Sequence, residues 1–384
     1  MANLFSLTAE QQEISNVAKK FAATEIAPHA LEWDEARHLP LDVIRSTAAL
    51  GMGGIYVRED VGGSGLDRLD GVLIFEGLAT GCPVISAYIS VHNMVARIID
   101  SFGDESQRKA YLPRLCSMES MGAYALTEPS SGSDAGALST RAVRDDDTYV
   151  LNGVKQFISG AGVPGTLYIV MARTADTGSR GISAFLIEDG TPGLSFGVHE
   201  KKMGWHAQPT RQLILEDVRV PAQNLIGEEG QGFKIAMAAL DGGRLNIAAC
   251  SLGGASTALD KTLHYVTDRH AFGKRLADFQ ALQFRLADMA TELEIARTFL
   301  WRAAASLSER SRDATVLCAM EKRYVTDVGY DVANEALQRH GGYGYLLEYG
   351  IEKIVRDLRV HQILEGTNEI MRLIVSRSLL EDLK

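Results

Sequence analysis

Cysteine is scarce in this chain. The 384 residues hold four, at 82, 116, 250 and 318, and no two form a CxxC pair. That spacing excludes a disulfide framework and fits reduced, mostly buried thiols. Basic residues are in deficit as well. A net charge of -10 argues against non-specific binding to nucleic acid, which needs a cationic surface. No apolar run is long enough to span a bilayer. The opening residues, MANLFSLTAEQQE, have no basic n-region and no Arg-rich character. Neither a signal peptide nor a transit peptide is expected, and the expected location is cytoplasmic, with the mitochondrial matrix as the alternative. Nucleotide motifs are missing too. There is no strand–GxGxxG–helix unit and no GxxxxGK[ST], so a Rossmann or P-loop site is not expected. No GxSxG elbow supports a serine hydrolase. Repeats, low-complexity tracts and loose linkers are also lacking.

What is present is an ordinary globular composition, 46% hydrophobic and 23% charged, arranged as helix, then sheet, then helix. Thr8 and Gln11 predict a capping box, and Ile14, Val17, Phe21 and Ile26 mark one helical face behind it. Gly51 stops a short helix, and Asp104 predicts another N-cap. Beyond residue 120 the texture changes to strand-like runs between turns rich in Gly, Asp and Pro, as an antiparallel sandwich or barrel requires. Long helical patterns return near residue 231 and run to the C-terminus. The expected division is an all-helical domain over 1–120, a middle β domain over 121–230 and a helical bundle over 231–384. This is an α+β order, not an alternating α/β one.

Five stretches are too particular to pass as plain loops. YALTEPSSGSD (124–134) offers hydroxyls and backbone N–H groups to a polar ring or phosphate, although a simple turn has the same composition. KQFISGAG (155–162) is similar, with an aromatic added. DGGR (241–244) sits inside a helical pattern, where each glycine costs roughly 1 kcal/mol against alanine. Some neighbour or ligand must need that backbone close, and Arg244 suits a carbonyl-rich or anionic ligand. DRHAFGKRLADFQ (268–280) reads as a solvated helix–turn–helix or as a site for a diphosphate and a ring. In LQRHGGYGY (337–345), Gly341 ends a helix and leaves N–H groups for an anion. Glu365 adds a puzzle of its own, a carboxylate behind Ile363 and Leu364, in a setting that is costly unless the group is paired or used. His361 and Glu365 could share a helix face, but two ligands do not make a metal site, and none is expected.

Taken in order, YALTEPSSGSD, FISGAG, DGGR, HGGYGY and LEGTNEI resemble the acyl-CoA dehydrogenase family along essentially the whole chain. GLSFGVHEKKMGWHAQPTRQLILEDVRVP and DGGRLNIAACSLGGA resemble its isobutyryl-CoA branch, as does Phe157 where many relatives carry Trp. The resemblance implies a helical domain, a middle β domain and a C-terminal four-helix bundle. It implies a homotetramer built as a dimer of dimers, with one FAD per subunit. The reaction it implies is α,β-desaturation of an acyl-CoA, electrons passing to an electron-transferring flavoprotein.

Position by position, the resemblance assigns Tyr124, Ala125, Leu126, Thr127 and Ser133 to the flavin, with Ser133 also near the CoA. Phe157, Ile158 and Ser159 are expected on the flavin ring. Arg269, Phe279, Gln280, Gln338, Gly341 and Gly342 are expected to hold FAD across a subunit interface. Thr367, Asn368 and Glu369 match further FAD contacts. Asp241, Gly242, Gly243, Arg244, Gly366 and Arg377 match acyl-CoA contacts. Glu365 matches the base that removes the proton α to the thioester, and burial would raise its pKa for that work. Other branches place the glutamate just before the arginine; here that position is Gly243, which has no side chain. Leu364 stands where several straight-chain relatives have Tyr, which would widen the pocket for an α-branch. Alternatives are a short straight-chain or 2-methylbutyryl substrate, or an oxidase or non-catalytic relative on the same scaffold.

Overall fold

A computed structural model describes residues 6–381, so the first five and last three residues of the terminal spans lie outside it. Six α-helices come first: α1 (Ala9–Phe21), α2 (Ala30–Ala36), α3 (Leu41–Ser46), α4 (Arg68–Ala79), α5 (Pro83–Phe102) and α6 (Glu105–Cys116). Their starts follow the sequence. Thr8 and Gln11 exchange side-chain and backbone hydrogen bonds at the head of α1, and Asp104 and Gln107 do the same for α6. Asp67 and Asp70 cap α4 in the same way. Gly51, at φ +75°, ends the helical turn after α3.

Eight strands then build one sheet: β1 (Met121–Ala125), β2 (Arg141–Asp145), β3 (Thr148–Ser159), β4 (Thr166–Arg173), β5 (Ile182–Glu188), β6 (Leu194–Phe196), β7 (Thr210–Pro221) and β8 (Leu225–Ile226). Their order is β6-β7-β3-β2-β4-β5-β8, with β1 on β4. Most pairs are antiparallel, as the turn-rich sequence predicts, but β1 and β2 both run parallel to β4. Four long helices close the chain: α7 (Gly232–Asp268), α8 (Gln280–Ser308), α9 (Ala314–His340) and, after α10 (Ile351–Arg359), α11 (Asn368–Glu381). Between α7 and α8, residues 270–275 form a two-rung hairpin about Phe272 and Gly273, not a helical turn.

Three apolar cores hold these layers. The largest joins α4 and α5 to α7, α8 and α9 through Phe75, Leu78, Ile85, Leu252, Leu300 and Val325. A second lies between α5, α6 and one sheet face, and a third covers the other face. His92 on α5 is a hub at the seam. Its Nε2 lies 3.0 Å from the carbonyls of Gly53 and Leu115, and its Nδ1 accepts from the Gly122 N–H at 3.0 Å. Burial pushes its pKa down to about 4, so the ring is neutral with its proton on Nε2. No helix among the described residues is long and apolar enough to cross a membrane.

Candidate active site

The segment between α10 and α11 carries Glu365 out of helical geometry. Glu365 has φ +54° and Gly366 φ +90°, so the expected helix face shared with His361 does not form. The bend turns the carboxylate inward onto α7. A Cβ added at Gly243 would lie 2.0 Å from Glu365 Oε2. The glycine inside the DGGR helix is thus a seat for this carboxylate. Its neighbour Gly242 makes room in the same way for the Arg68 guanidinium, which also stacks on Tyr56 at 4.1 Å.

Glu365 Oε2 is enclosed and has no hydrogen-bond partner. Burial pushes the carboxyl up to about 7, against the pull of Arg244 and Lys322. Arg244 is fixed by Asp241 at 2.6 Å, and Asp241 is fixed in turn by Thr315 at 2.7 Å. Arg244 Nε also donates to the Glu365 carbonyl at 3.3 Å. The Tyr124 hydroxyl is buried without a partner, and burial and the Glu365 charge both raise its pKa. The Glu365 backbone N–H donates to nothing among the described residues. The arrangement is that of a buried carboxyl of raised pKa beside an N–H that is unpartnered among the described residues.

A second group gathers on the sheet. In β3 the pairing with β7 slips between Lys155 and Ile158, and Phe157 takes φ +60°. This bulge turns the Phe157 ring outward, 63% exposed, while Ile158 stays buried. Ser159 accepts a hydrogen bond from Gln208 at 2.6 Å. The Gln156 N–H bonds the Thr127 carbonyl at 2.8 Å, which brings the Tyr124–Thr127 stretch alongside. Beneath both loops Lys155 donates to Glu128 at 2.8 Å and to the Leu126 carbonyl at 3.1 Å. Burial alone would raise the Glu128 carboxyl, but Lys155 and the donors of Ser139 and Thr140 carry it down to about 2. Gln208 Oε1 and the Trp205 indole N–H, on the neighbouring turn, are buried and unpartnered. An open aromatic face, hydroxyls and unsatisfied polar atoms fit a planar ring with polar edges, as the flavin of FAD has.

Arg269, Gln338, Gly341 and Gly342 form a third group. They line a cavity of about 390 Å³ with Tyr265, His340 and Tyr343. Arg269 lies over the Tyr343 ring at 5.3 Å, and a Cβ at Gly341 or Gly342 would meet nothing within 4 Å. Phe279 and Gln280 follow the adjacent hairpin, with Lys274 over the Phe279 ring at 4.1 Å. No residue of the first two groups lines this cavity.

The remaining candidates are scattered. Ser133 is exposed on its loop, and Arg377 is exposed on α11. Glu369 is exposed and paired with Arg372, while Thr367 accepts from the Ile370 N–H at the head of α11. Asn368 is buried, and its amide is committed inside the chain to Thr326, Asp327 and Lys322. Sequence reasoning missed Lys322, Gln208 and Trp205. A lone Lys in an amphipathic helix looks like any solvated residue, and nothing in local spacing marks it. Among the described residues no cluster of His, Cys, Asp and Glu could hold a metal.

Comparison with known proteins identifies the family. Residues 8–119, 123–218 and 230–380 match the models for the acyl-CoA dehydrogenase N-terminal, middle and C-terminal domains. The chain is 54% identical to the mitochondrial isobutyryl-CoA dehydrogenase of Bos taurus, over 98% of this chain and 90% of that one. It is 53% identical to that of Dictyostelium discoideum, with the same two coverages. The solved butyryl-CoA dehydrogenase of Megasphaera elsdenii superposes with a TM-score of 0.95 at 41% identity, covering 98% of this chain and 99% of that one. With three matched models spanning nearly its full length and relatives above half identity, the chain belongs to the acyl-CoA dehydrogenases, enzymes that depend on FAD.

Proposed function

We propose that this acyl-CoA dehydrogenase desaturates a short acyl-CoA branched at its α-carbon, converting isobutyryl-CoA to methacrylyl-CoA, with Glu365 as the base. The observation that carries the base assignment is the enclosed, unpartnered Glu365 carboxylate seated over Gly243. Bound FAD supplies the hydride acceptor for the β-hydrogen. Glu365 takes the α-proton, and the electron pair of that C–H bond becomes the new double bond. A pKa near 7 suits a base that must be ionised yet proton-hungry at neutral pH. The Glu365 N–H, unpartnered among the described residues, would donate to the thioester oxygen as charge builds there, an oxyanion-type contribution. Arg244, held by Asp241, fixes the Glu365 carbonyl and so the direction of the carboxylate.

The isobutyryl preference rests on the names of the bovine and Dictyostelium relatives and on half-buried Leu364, smaller than a Tyr at that place. Valine degradation is the matching pathway, and an electron-transferring flavoprotein the matching acceptor. The third cavity supports a homotetramer in which Arg269, Gln338, Gly341 and Gly342 reach the FAD of a neighbouring subunit.

Two measurements test this reading. An anaerobic panel of isobutyryl-, 2-methylbutyryl-, butyryl- and isovaleryl-CoA should give the highest kcat/KM on a 2-methyl chain, with modest steps of about 1–3 kcal/mol per methylene. Preference for chains of about eight carbons or more would overturn the substrate assignment. Glu365→Gln should bind FAD and acyl-CoA but bleach the flavin about 10²–10⁴-fold more slowly. Normal bleaching would mean that another group is the base.

A further inference from the structure

The loop that carries Glu365 is held from one side by a single cation. Lys322, on α9, is fully buried. Its ammonium donates to the Gly366 carbonyl at 2.9 Å and to Asn368 Oδ1 at 3.0 Å. One acceptor belongs to the left-handed pair Glu365–Gly366 and the other follows it by two residues. Asn368 passes the hold on: its amide nitrogen donates to Asp327 at 2.7 Å and to Thr326 at 3.0 Å, both on α9. Gln362, on the other side of the bend, also donates to Asp327, at 2.8 Å. The bend is therefore pinned to α9 at both ends, and the ammonium holds its C-terminal side.

We propose that Lys322 is a positioning residue for proton abstraction: it pins the Glu365–Gly366 bend and, beside Arg244, its charge helps hold Glu365 in the ionised form. The proposal rests on Glu365 being that base. The charged and titratable groups around the two are few. Arg244 and Cys250 face them from α7, Tyr124 from β1, Glu321 and Asp327 from α9, and neutral, buried His361 from the turn before the bend, while Arg323 and Arg372 stand against Asp327 at 3.6 Å. Arg244 is already matched to Asp241 at 2.6 Å, whereas Lys322 has no carboxylate in hydrogen-bond contact among the described residues, only a carbonyl and an amide. Its charge is thus the least neutralised of the two cations. Burial lowers its own pKa to about 8, and the Glu365 charge works against that fall. Each group favours the ionised form of the other. Loss of the ammonium must raise the Glu365 pKa and move the active form to higher pH.

The test is the pH profile of flavin bleaching by isobutyryl-CoA in the holoenzyme, with Lys322→Met, Lys322→Gln and Lys322→Arg. In both neutral variants the rising limb should move alkaline by about one pH unit, the size of a typical near-charge effect. Lys322→Gln keeps an amide donor, so its maximal rate should fall less than that of Lys322→Met, and it serves if the Met variant folds poorly. Lys322→Arg keeps the charge, so its limb should stay in place. A second readout needs no turnover. The infrared carboxylic-acid band that disappears in Glu365→Gln should persist to higher pH in the neutral variants. A limb and a band that stay at the wild-type pH in both neutral variants overturn the proposal. Glu365→Gln separates the two failures: if it bleaches normally the base assignment falls, and if it is inactive while the limb is unmoved only the role of Lys322 falls.

Discussion

At Gly243 a residue's worth lies in what it leaves out. An alanine there would put a methyl 2.0 Å from the Glu365 carboxylate, and it is the flexible end of that side chain that would yield. Gly243→Ala should therefore leave the melting temperature near that of the parent, since helix propensity improves by roughly 1 kcal/mol. Bleaching of the flavin should fall about 100-fold, the usual cost of a misplaced reacting group. Calorimetry and rapid-mixing absorbance on one preparation would check both halves; a large loss of stability would show that the glycine serves packing instead. The sequence made the glycine pair conspicuous, because two glycines weaken a helix. It could not show the reason. The carboxylate that fills the space lies more than a hundred residues away, and the backbone turn that aims it depends on contacts with α9. Lys322 was illegible for the same reason: its partners are a carbonyl and an amide brought in by folding.

At the level of the element, β3 shows how a strand becomes a platform. Its bulge exposes Phe157, while Lys155, two residues earlier, points inward to Glu128 and Leu126. Removing one member of a buried pair leaves the other charge stranded. Lys155→Met should destabilise the protein by about 3 kcal/mol and weaken FAD retention, because the Tyr124–Thr127 stretch loses its anchor. Urea unfolding with flavin fluorescence would follow both; full FAD retention would show that the pair holds only the sheet. Acid should undo the same clamp. The depressed Glu128 carboxyl contributes stability above its ordinary range near 4.5, and that contribution is lost as pH falls toward about 2. Element starts were legible wherever a capping side chain announces them, as at Thr8 and Asp104. Residues 268–280 were not, since a two-rung hairpin and a helical turn share the same Gly- and charge-rich composition. The parallel course of β1 was hidden too, because alternation within a strand carries no direction.

For the whole molecule, the cavity at Arg269 shares no lining residue with the group gathered on β3 or with the surroundings of Glu365. If the cavity serves a neighbour's cofactor, binding and assembly are linked by mass action. Arg269→Ala should then lose FAD and thermal stability together, and the loss should shrink as protein concentration rises. Sedimentation and flavin content across a dilution series would measure this, and a fully flavinated, concentration-independent mutant would place Arg269 outside the interface.

His92 carries a lesson about inheritance. Three family models divide the chain into three portions, yet α5 contributes to two apolar cores, and one imidazole ties the loop at Gly53, the end of α6 and the first residues of β1. The matched portions therefore share cores and hydrogen bonds across their boundaries. A chimera spliced near residue 120 from two family members would have to match the ring, the two carbonyls and the N–H across its own joint, so exchange of parts within the family is constrained at its seams more than inside its pieces.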